Sequence, residues 1–172
     1  PSVEADVEAM NDHPNARAVF VINPTYFGAV LDLKTIVKEA HQRGILVLVD
    51  EAHGAHFAFN HYGPYSAMEC GADLSAVSLH KTAGSLTQSS ALLRKGNLIS
   101  HYDISKTLAI INTTSPSTLF LASLDAARKY MAISGQTAMN DIVNLTNYAR
   151  KEINRIPGFR AHGRDYFLAK GV

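Results

Sequence analysis

The chain has 172 residues, of which 47% are hydrophobic and 18% are charged, a composition typical of one globular domain with a sizeable core. Sixteen Lys and Arg residues against 15 Asp and Glu residues leave a formal net charge of +1. Because so balanced a charge offers no attraction to nucleic acid or to an anionic membrane, we expect neither as a partner.

Cysteine content and hydropathy indicate a protein of a reducing compartment. Cys70 is the single cysteine, so the chain cannot form an internal disulfide, and the Cys/His spacing of a zinc finger is missing. No apolar run in the sequence reaches the roughly 20 residues that span a bilayer, and the first residues lack the pattern of a signal peptide. We therefore expect a cytoplasmic location.

Two apolar strands flank a helix in the first third of the chain. Ser2 is a helix-capping residue, and a short helix is predicted directly after it. Residues 17–22 and 45–49 are almost wholly apolar, which is typical of strands covered on both faces. Between them, Asp32 caps a predicted helix with apolar residues at helical spacing up to Gly44. A strand, a helix and a strand in this order form a right-handed βαβ unit of a parallel sheet.

The middle of the chain adds two more strands to this sheet. They are predicted at residues 74–78 and 89–93, with a short helix at residues 64–70 before them. The sequence therefore predicts an α/β fold with a mostly parallel sheet flanked by helices. The helices predicted after Gly96 are residues 97–111, a helix from Ser115-Pro116 to a stop at Gly135, and a helix with an apolar stripe at Ile142, Leu145, Ala149, Ile153 and Ile156 that ends at Pro157-Gly158.

Polar residues follow three of the predicted strands at the points where the strands end. Asn23 follows the first strand, Asp50 the second, and residues 78–81 the third. Ligands of open parallel sheets lie beyond the carboxyl ends of the strands, where the loops converge. Because Asp50 and Lys81 each follow an apolar strand, a parallel arrangement brings both to the same edge of the sheet.

A lysine amine and a carboxylate at one sheet edge are the two groups that pyridoxal 5'-phosphate (PLP) requires. A lysine amine forms an imine with an aldehyde, and a carboxylate beside a protonated pyridine nitrogen keeps that ring electron-withdrawing. Ser78 and His80 lie in the same turn as Lys81 and offer donors to a phosphate. We therefore predict a PLP site with Lys81 and Asp50 as its catalytic residues.

Three blocks of the sequence resemble one known family, the Orn/Lys/Arg decarboxylases, which are PLP-dependent enzymes of the aspartate-aminotransferase fold (fold type I). Residues 76–90, which include Ser78-Leu79-His80-Lys81-Thr82, resemble the lysine signature of that family. Residues 23–28 (NPTYFG) and 49–57 (VDEAHGAHF) resemble two further blocks in the expected order. The resemblance extends from about residue 16 to residue 116. It implies decarboxylation of arginine, lysine or ornithine to the corresponding amine.

The resemblance also implies individual roles. Lys81 is implied as the residue that bonds to PLP, and Asp50 as the partner of the pyridine nitrogen. His53 stands where some relatives have tryptophan, and it is implied as a third catalytic residue. The cofactor-binding residues that the resemblance adds are Ala52 against one ring face, His53 near the phenolic oxygen, and Ser78 and His80 at or near the phosphate.

Residues 112–117 resemble another block of the family, one that crosses a dimer interface towards the phosphate of the neighbouring subunit. Thr113 and Ser115 are therefore implied as cofactor-binding residues of a homodimer. The segment is rich in hydroxyl groups, and Pro116 opens a predicted helix whose N-terminus favours an anion. Plain helix capping by the same hydroxyl groups is an equally good interpretation of the residues alone.

Other interpretations of the same residues stay open at this stage. Residues 45–53 also match a Walker B strand and the Asp-Glu-Ala-His box of a helicase-type ATPase, in which Asp50 holds magnesium and Glu51 orients water. That interpretation needs a phosphate loop that the chain lacks, and it leaves the block around Lys81 unexplained. Asp50, His53 and His56 have a spacing open to metal ligands, although we predict no metal. An aminotransferase, a carbon–sulfur lyase or an inactive dimerisation module also fits the Lys/Asp pair.

The predicted domain organisation is a partial PLP-binding large domain at residues 1–156, followed by an exit segment at residues 157–172 towards a C-terminal domain. The family's phosphate loop and ring-stacking residue have no counterpart in the 172 residues. We therefore expect the chain to be part of a longer polypeptide, and we expect these residues alone to bind PLP weakly and to be inactive. The groups that recognise the far end of the substrate are not identifiable.

Overall fold

The computed structural model describes residues 2–61 and 63–169, so the last three residues of the predicted exit segment lie outside the described residues. These residues form an α/β fold with one sheet, in the order β1-β2-β3-β4. The strands are β1 (Ala18–Ile22), β2 (Leu46–Asp50), β3 (Leu74–Val77) and β4 (Ala91–Arg94). The helices are α1 (Val3–Asp12), α2 (Leu33–Gln42), α3 (Ala67–Cys70), α4 (Leu79–Thr82), α5 (His101–Ile111), α6 (Thr118–Ile153) and α7 (Arg164–Leu168), with a 3-10 turn at Phe57–Phe59.

The first three strands are parallel, and β4 runs antiparallel to β3. This arrangement confirms the predicted mostly parallel sheet. In the register of the sheet, Asp50 at the end of β2 lies between Ile22 of β1 and Ala76 of β3. The ends of β1, β2 and β3 therefore lie at one edge of the sheet, which we call the carboxyl edge. The start of β4 lies at the same edge, because Ala91 pairs with Val77.

The core packs against one face of the sheet. Side chains of a strand alternate between its two faces, and every second residue of β2, such as Val47 and Val49, is buried. The helix α2 covers these residues. It begins at the capping residue Asp32, whose Oδ1 accepts a hydrogen bond from Thr35 N at 3.2 Å. The apolar stripe predicted for this helix is confirmed as its buried face: Leu33, Ile36, Val37 and Ala40.

The opposite face of the sheet, which we call the open face, is left uncovered by the described residues. Phe20 is 64% exposed and Ile22 is 51% exposed. The prediction that β1 is buried on both faces is therefore wrong for the described part of the chain. The physical reason is that residues of α1, α2 and α3 all belong to the single core cluster on the other face.

One long helix, α6, replaces two predicted helices. The prediction of a helix end at Gly135 is wrong, because this glycine is buried in the middle of α6. A Cβ atom added to Gly135 would lie 3.0 Å from Phe59 Cβ, so the glycine allows the 3-10 turn to approach the helix closely. Met131 and Met139 of the same helix form a second apolar cluster with Ala55, Phe59, Leu79, Ala83 and Ala138.

The boundaries of the last helices also differ from the prediction. The helix α5 begins at His101, because Ser100 caps it by accepting a hydrogen bond from Tyr102 N at 3.1 Å. The helix α6 begins at Thr118, later than the predicted start at Ser115-Pro116. The apolar stripe predicted between Ile142 and Ile156 is exposed in the described chain. None of the helices described, α6 included, combines the length and the apolar character needed to cross a membrane.

Candidate active site

Asp50 presents a carboxylate on the open face at the carboxyl edge. Its register partners on that face are Ile22 and Ala76, which are both exposed. Asp50 Oδ1 accepts a hydrogen bond from Ala52 N at 3.0 Å, which closes the turn after β2. Oδ2 has no hydrogen-bond partner among the residues that the structure describes. One carboxylate oxygen is therefore free to meet a ligand.

The next residue, Glu51, faces the covered side of the sheet and is only 1% exposed. Glu51 Oε1 accepts a hydrogen bond from Ala67 N, and Oε2 accepts one from Ser75 Oγ, both at 2.8 Å. Burial raises the pKa of the Glu51 carboxyl above its ordinary value, and the two hydrogen bonds oppose that rise. A side chain held in this way cannot orient a water molecule on the open face. The geometry therefore does not support the ATPase interpretation.

Lys81 lies in the one-turn helix α4, directly after β3, and its side chain is exposed. Lys81 N donates a hydrogen bond to Ser78 O at 3.1 Å, which closes the turn between them. The hydroxyl of Ser78 makes no capping hydrogen bond to α4. Because β2 and β3 are parallel neighbours, the residues that follow them, Lys81 among them, lie at the same carboxyl edge as Asp50. The predicted parallel arrangement of the two preceding strands is confirmed, and a shared site for Asp50 and Lys81 stays a prediction.

His80 joins the lysine turn to the residues that precede β4. His80 Nδ1 lies 2.8 Å from Ser89 O, and the backbone N of His80 donates to the same oxygen at 3.3 Å. Because a carbonyl oxygen only accepts hydrogen bonds, Nδ1 carries a proton. In the neutral ring, Nε2 is then an acceptor, and it becomes a donor to a phosphate only when the ring is protonated. The predicted phosphate role of His80 therefore requires the charged imidazolium.

The loop after β1 adds two aromatic side chains to the surroundings of His53. The rings of Tyr26 and His53 form a T-shaped contact with centroids 5.3 Å apart, and Tyr26 meets Phe27 in the same way at 5.5 Å. Both aromatic residues are largely exposed, whereas His53 and Ala52 are partly buried. Tyr26 has no role predicted from the sequence, although its block follows the end of a strand.

Asn23 is a further residue of this edge to which the sequence analysis assigned no role. It is fully buried; its Oδ1 accepts a hydrogen bond from Leu31 N at 2.8 Å, and its backbone N donates to Asp50 O at 2.9 Å. Asn23 Nδ2 has no partner among the described residues. Asn23 therefore fixes the start of the loop that carries Tyr26. An amide residue directly after an apolar strand and before a proline is the signal that could have identified it.

Thr113 and Ser115 lie in the exposed loop between α5 and α6. Their described polar contact is to each other, where Ser115 N donates to Thr113 Oγ1 at 3.1 Å. Within the described part of the chain, no contact brings them to Asp50 or Lys81. A role at the site of a neighbouring subunit, as the family resemblance implies, stays a prediction.

The ring of His56 packs against the ring of Phe57, with 4.8 Å between their centroids. Burial lowers the pKa of the His56 imidazole below its ordinary value. Across residues 2–61 and 63–169, no three His, Cys, Asp or Glu side chains are grouped so as to hold a metal ion. Asp50, His53 and His56 thus share a sequence spacing but do not form a metal centre in the described structure.

The side chains at the carboxyl edge fit PLP by their chemistry. Asp50 offers a carboxylate oxygen without a partner, Lys81 an exposed primary amine, and Ser78 a hydroxyl that does not cap its helix. A carboxylate favours the protonated form of a nearby ring nitrogen, and a hydroxyl donates to a phosphate oxygen. The edge therefore carries side chains that would suit the ring nitrogen, the aldehyde and the phosphate of PLP.

Solved structures place the fold in a known class. A methionine gamma lyase from Micromonospora echinospora matches 95% of this chain and 44% of its own, with a TM-score of 0.66 at 16% sequence identity. A serine palmitoyltransferase from S. paucimobilis with a bound PLP–myriocin aldimine matches 87% of this chain and 37% of its own, with a TM-score of 0.63 at 23% identity. Likeness at these identities concerns the fold alone, which is the large-domain fold of the fold type I PLP-dependent enzymes.

Within that class, the chain belongs to the Orn/Lys/Arg decarboxylase family, whose major domain it matches over residues 2–167. It is 46% identical over 164 residues to an arginine decarboxylase from Halalkalibacterium halodurans, covering 95% of this chain and 33% of the relative. It is 44% identical over 171 residues to an arginine decarboxylase from Bacillus subtilis, covering 99% of this chain and 35% of the relative. The chain thus spans about a third of the length of these relatives. The resemblance found in the sequence is confirmed.

Proposed function

We propose that the protein with this sequence is a PLP-dependent decarboxylase of arginine, which it converts to agmatine and carbon dioxide. The observation that carries the proposal is the placement of Asp50 and Lys81 after two adjacent parallel strands, at one edge of the sheet. The names of the relatives, arginine decarboxylases at 42–46% identity, support arginine over lysine and ornithine.

Two residues carry the chemistry in this proposal. Lys81 holds the cofactor through its exposed amine, and Asp50 keeps a proton on the ring nitrogen through its free Oδ2. When bound, PLP supplies an electron sink for the electron pair that remains at Cα after carbon dioxide leaves. The residues proposed to orient the cofactor are Ala52 against one ring face, His53 at the phenolic oxygen, and Ser78 and His80 at the phosphate.

The proposal extends to a homodimer. Thr113 and Ser115 are exposed, so both hydroxyls can meet the phosphate bound by a neighbouring subunit. The helices on either side of their loop also expose large apolar residues, including Ile110 and Ile111 of α5 and Leu119 of α6. Exposed apolar surface of this kind is typical of a face that another polypeptide surface covers.

Chemical trapping of PLP tests the site. The full-length protein is incubated with PLP, reduced with sodium borohydride and mapped by peptide mass spectrometry. We expect the pyridoxyl group on Lys81, and we expect Lys81→Ala to abolish the label. Lys106→Ala is the matched control, because Lys106 is an exposed lysine on α5, and this variant should label normally. A wild-type protein that carries the pyridoxyl group on another lysine and not on Lys81 would overturn the proposed site.

The substrate is tested by product identification. The full-length protein with PLP is given arginine, lysine or ornithine separately, and the products are separated by chromatography. Agmatine as the main amine supports the proposal. A keto acid without carbon dioxide would instead identify an aminotransferase, and a preference for lysine or ornithine would replace arginine as the substrate.

A further inference from the structure

Glu51 connects the end of β2 to two other elements. Its backbone N donates to Ala76 O at 2.9 Å, its Oε2 accepts from Ser75 Oγ, and its Oε1 accepts from Ala67 N at the start of α3. Ser75 is fully buried in β3, three positions before Ser78. The side chain of Glu51 therefore adds one hydrogen bond to β3 and one to the start of α3, beside the backbone pairing of β2 with β3.

The turn that follows Asp50 also packs on Glu51. A Cβ atom added to Gly54 would lie 2.7 Å from Glu51 Cγ and 2.9 Å from Pro24 Cδ. The glycine thus allows the turn to close on the stem of Glu51 and on the loop after β1. Glu51 consequently lies where the ends of β1, β2 and β3 meet.

A second buried carboxylate provides a natural comparison. Asp73 is 3% exposed, and its Oδ2 accepts from Val47 N at 2.8 Å and lies 3.0 Å from His41 Nε2. Like Glu51, it ties β2 to the chain of β3 by side-chain hydrogen bonds. It differs in position, because Asp73 directly precedes β3 and so lies at the edge opposite to Lys81.

We propose that Glu51 is a positioning residue that fixes Asp50 relative to Lys81 and so sets how tightly the protein binds PLP. The inference rests on the proposed function. A shift of β2 along β3 would move Asp50 without moving Lys81, and misplacement of a reacting group by about 1 Å can reduce rates about 100-fold. The length of the side chain is decisive, because one carboxylate must reach both Ala67 N and Ser75 Oγ.

Four variants of the full-length protein test this role. Glu51→Asp shortens the side chain and keeps its charge, whereas Glu51→Gln keeps the length and removes the charge. Asp73→Asn removes the charge of the buried carboxylate at the edge of the sheet opposite to Lys81. Ser75→Ala removes one hydrogen-bond donor to Glu51. Each variant is measured for its melting temperature, for the PLP concentration that half-saturates borohydride labelling of Lys81, and for the pH dependence of the visible absorption of bound PLP.

We expect Glu51→Asp to raise the half-saturating PLP concentration at least about tenfold, because a displaced Asp50 loses its charge-assisted hydrogen bond to the ring nitrogen. The same displacement should shift the pH profile of the absorption. Glu51→Gln should stay within about threefold of the wild type, because its oxygen can accept from Ala67 N and its amide can donate to the Ser75 hydroxyl. Asp73→Asn should lower the melting temperature and leave both PLP measurements at the wild-type values.

The inference is overturned if Glu51→Asp binds PLP like the wild type, or if Asp73→Asn weakens PLP binding as much as Glu51→Asp does. It is also overturned if Glu51→Gln is as impaired as Glu51→Asp. If Glu51→Asp does not fold, Ser75→Ala decides the question. A half-saturating PLP concentration about threefold above that of the wild type supports the role, and an unchanged concentration overturns it. A wild-type protein that is not labelled at Lys81 refutes the proposed function itself.

Discussion

Asp50 and Glu51 are consecutive residues whose carboxylates face opposite sides of the sheet. The alternation of side chains along a strand causes this division. Asp50 keeps one oxygen free on the open face, whereas both oxygens of Glu51 accept hydrogen bonds inside the protein. The Asp-Glu-Ala-His segment therefore separates a carboxylate that is open to a ligand from a carboxylate that is held inside the protein. A Walker B site would instead need both carboxylates near one magnesium ion and its water.

Replacement of Asp50 by asparagine should separate its charge from its shape. The amide oxygen of Asn can still accept from Ala52 N, so the turn after β2 should keep its shape and Lys81 should still be labelled at saturating PLP. The charge that stabilises a protonated ring nitrogen is lost, and kcat for arginine should fall at least about 100-fold, or about 2.7 kcal/mol in the barrier. Asp32→Asn is the control, because Asn also caps a helix and this variant should turn over normally. Near-normal turnover by Asp50→Asn would contradict the electron-sink role.

Two substitutions of His80 should distinguish the role of Nδ1 from that of Nε2. In His80→Asn the side-chain amide can replace Nδ1 as the donor to Ser89 O, whereas the longer Gln reaches towards the position of Nε2. We expect His80→Asn to keep the melting temperature and to weaken PLP binding at least about tenfold, since a hydrogen bond to a charged group contributes about 1.5–3 kcal/mol. His80→Gln should lower the melting temperature and bind PLP more tightly than His80→Asn. Equal losses of PLP binding in both variants would contradict the proposed hydrogen bond from Nε2 to the phosphate.

The parts of the fold that follow from local patterns were predictable. The apolar spacing of α2 and the apolar runs of β1 and β2 are visible in the sequence, and each of these elements buries one face in the core. The placement of Asp50 and Lys81 followed from the rule that parallel strands end at the same edge. The family blocks added residue roles that this rule does not contain.

The parts that depend on a distant partner were not predictable from one sequence. Gly135 looks like a helix stop until Phe59 is known to pack against it, and Ser75 is one polar residue in an apolar strand until the register places it beside Glu51. The hydrogen bond of His80 Nδ1 similarly depends on Ser89, which lies in the segment before β4. In each case the decisive contact joins segments that no local pattern connects.

Gly135→Ala should destabilise the protein, although alanine is the better helix former. Replacing a glycine by alanine inside a helix ordinarily stabilises the helix by about 1 kcal/mol. Here the new Cβ would lie 3.0 Å from Phe59 Cβ, and overpacking of this kind costs about 1–3 kcal/mol. We expect the free energy of unfolding, measured with urea, to fall by about 1 kcal/mol. Thr137→Ala, at an exposed position of the same helix, is the control and should raise the free energy of unfolding slightly. A clear rise for Gly135→Ala would show that the 3-10 turn moves away from the new methyl group without loss of stability.

The buried carboxyl of Glu51 should also make stability depend on pH. Because burial raises its pKa in the folded state above the ordinary value of 4.5, the folded protein keeps this proton at pH values where the unfolded chain has lost it. The free energy of unfolding of the wild type, relative to Glu51→Gln, should therefore fall as the pH rises above about 4.5, by at most about 1.4 kcal/mol per pH unit. The fall should end once the pH exceeds the pKa of the folded state. Urea unfolding of both proteins between pH 4 and pH 8 measures this difference. A difference that grows with pH would mean that the hydrogen bonds from Ala67 and Ser75 outweigh burial and hold Glu51 in its charged form.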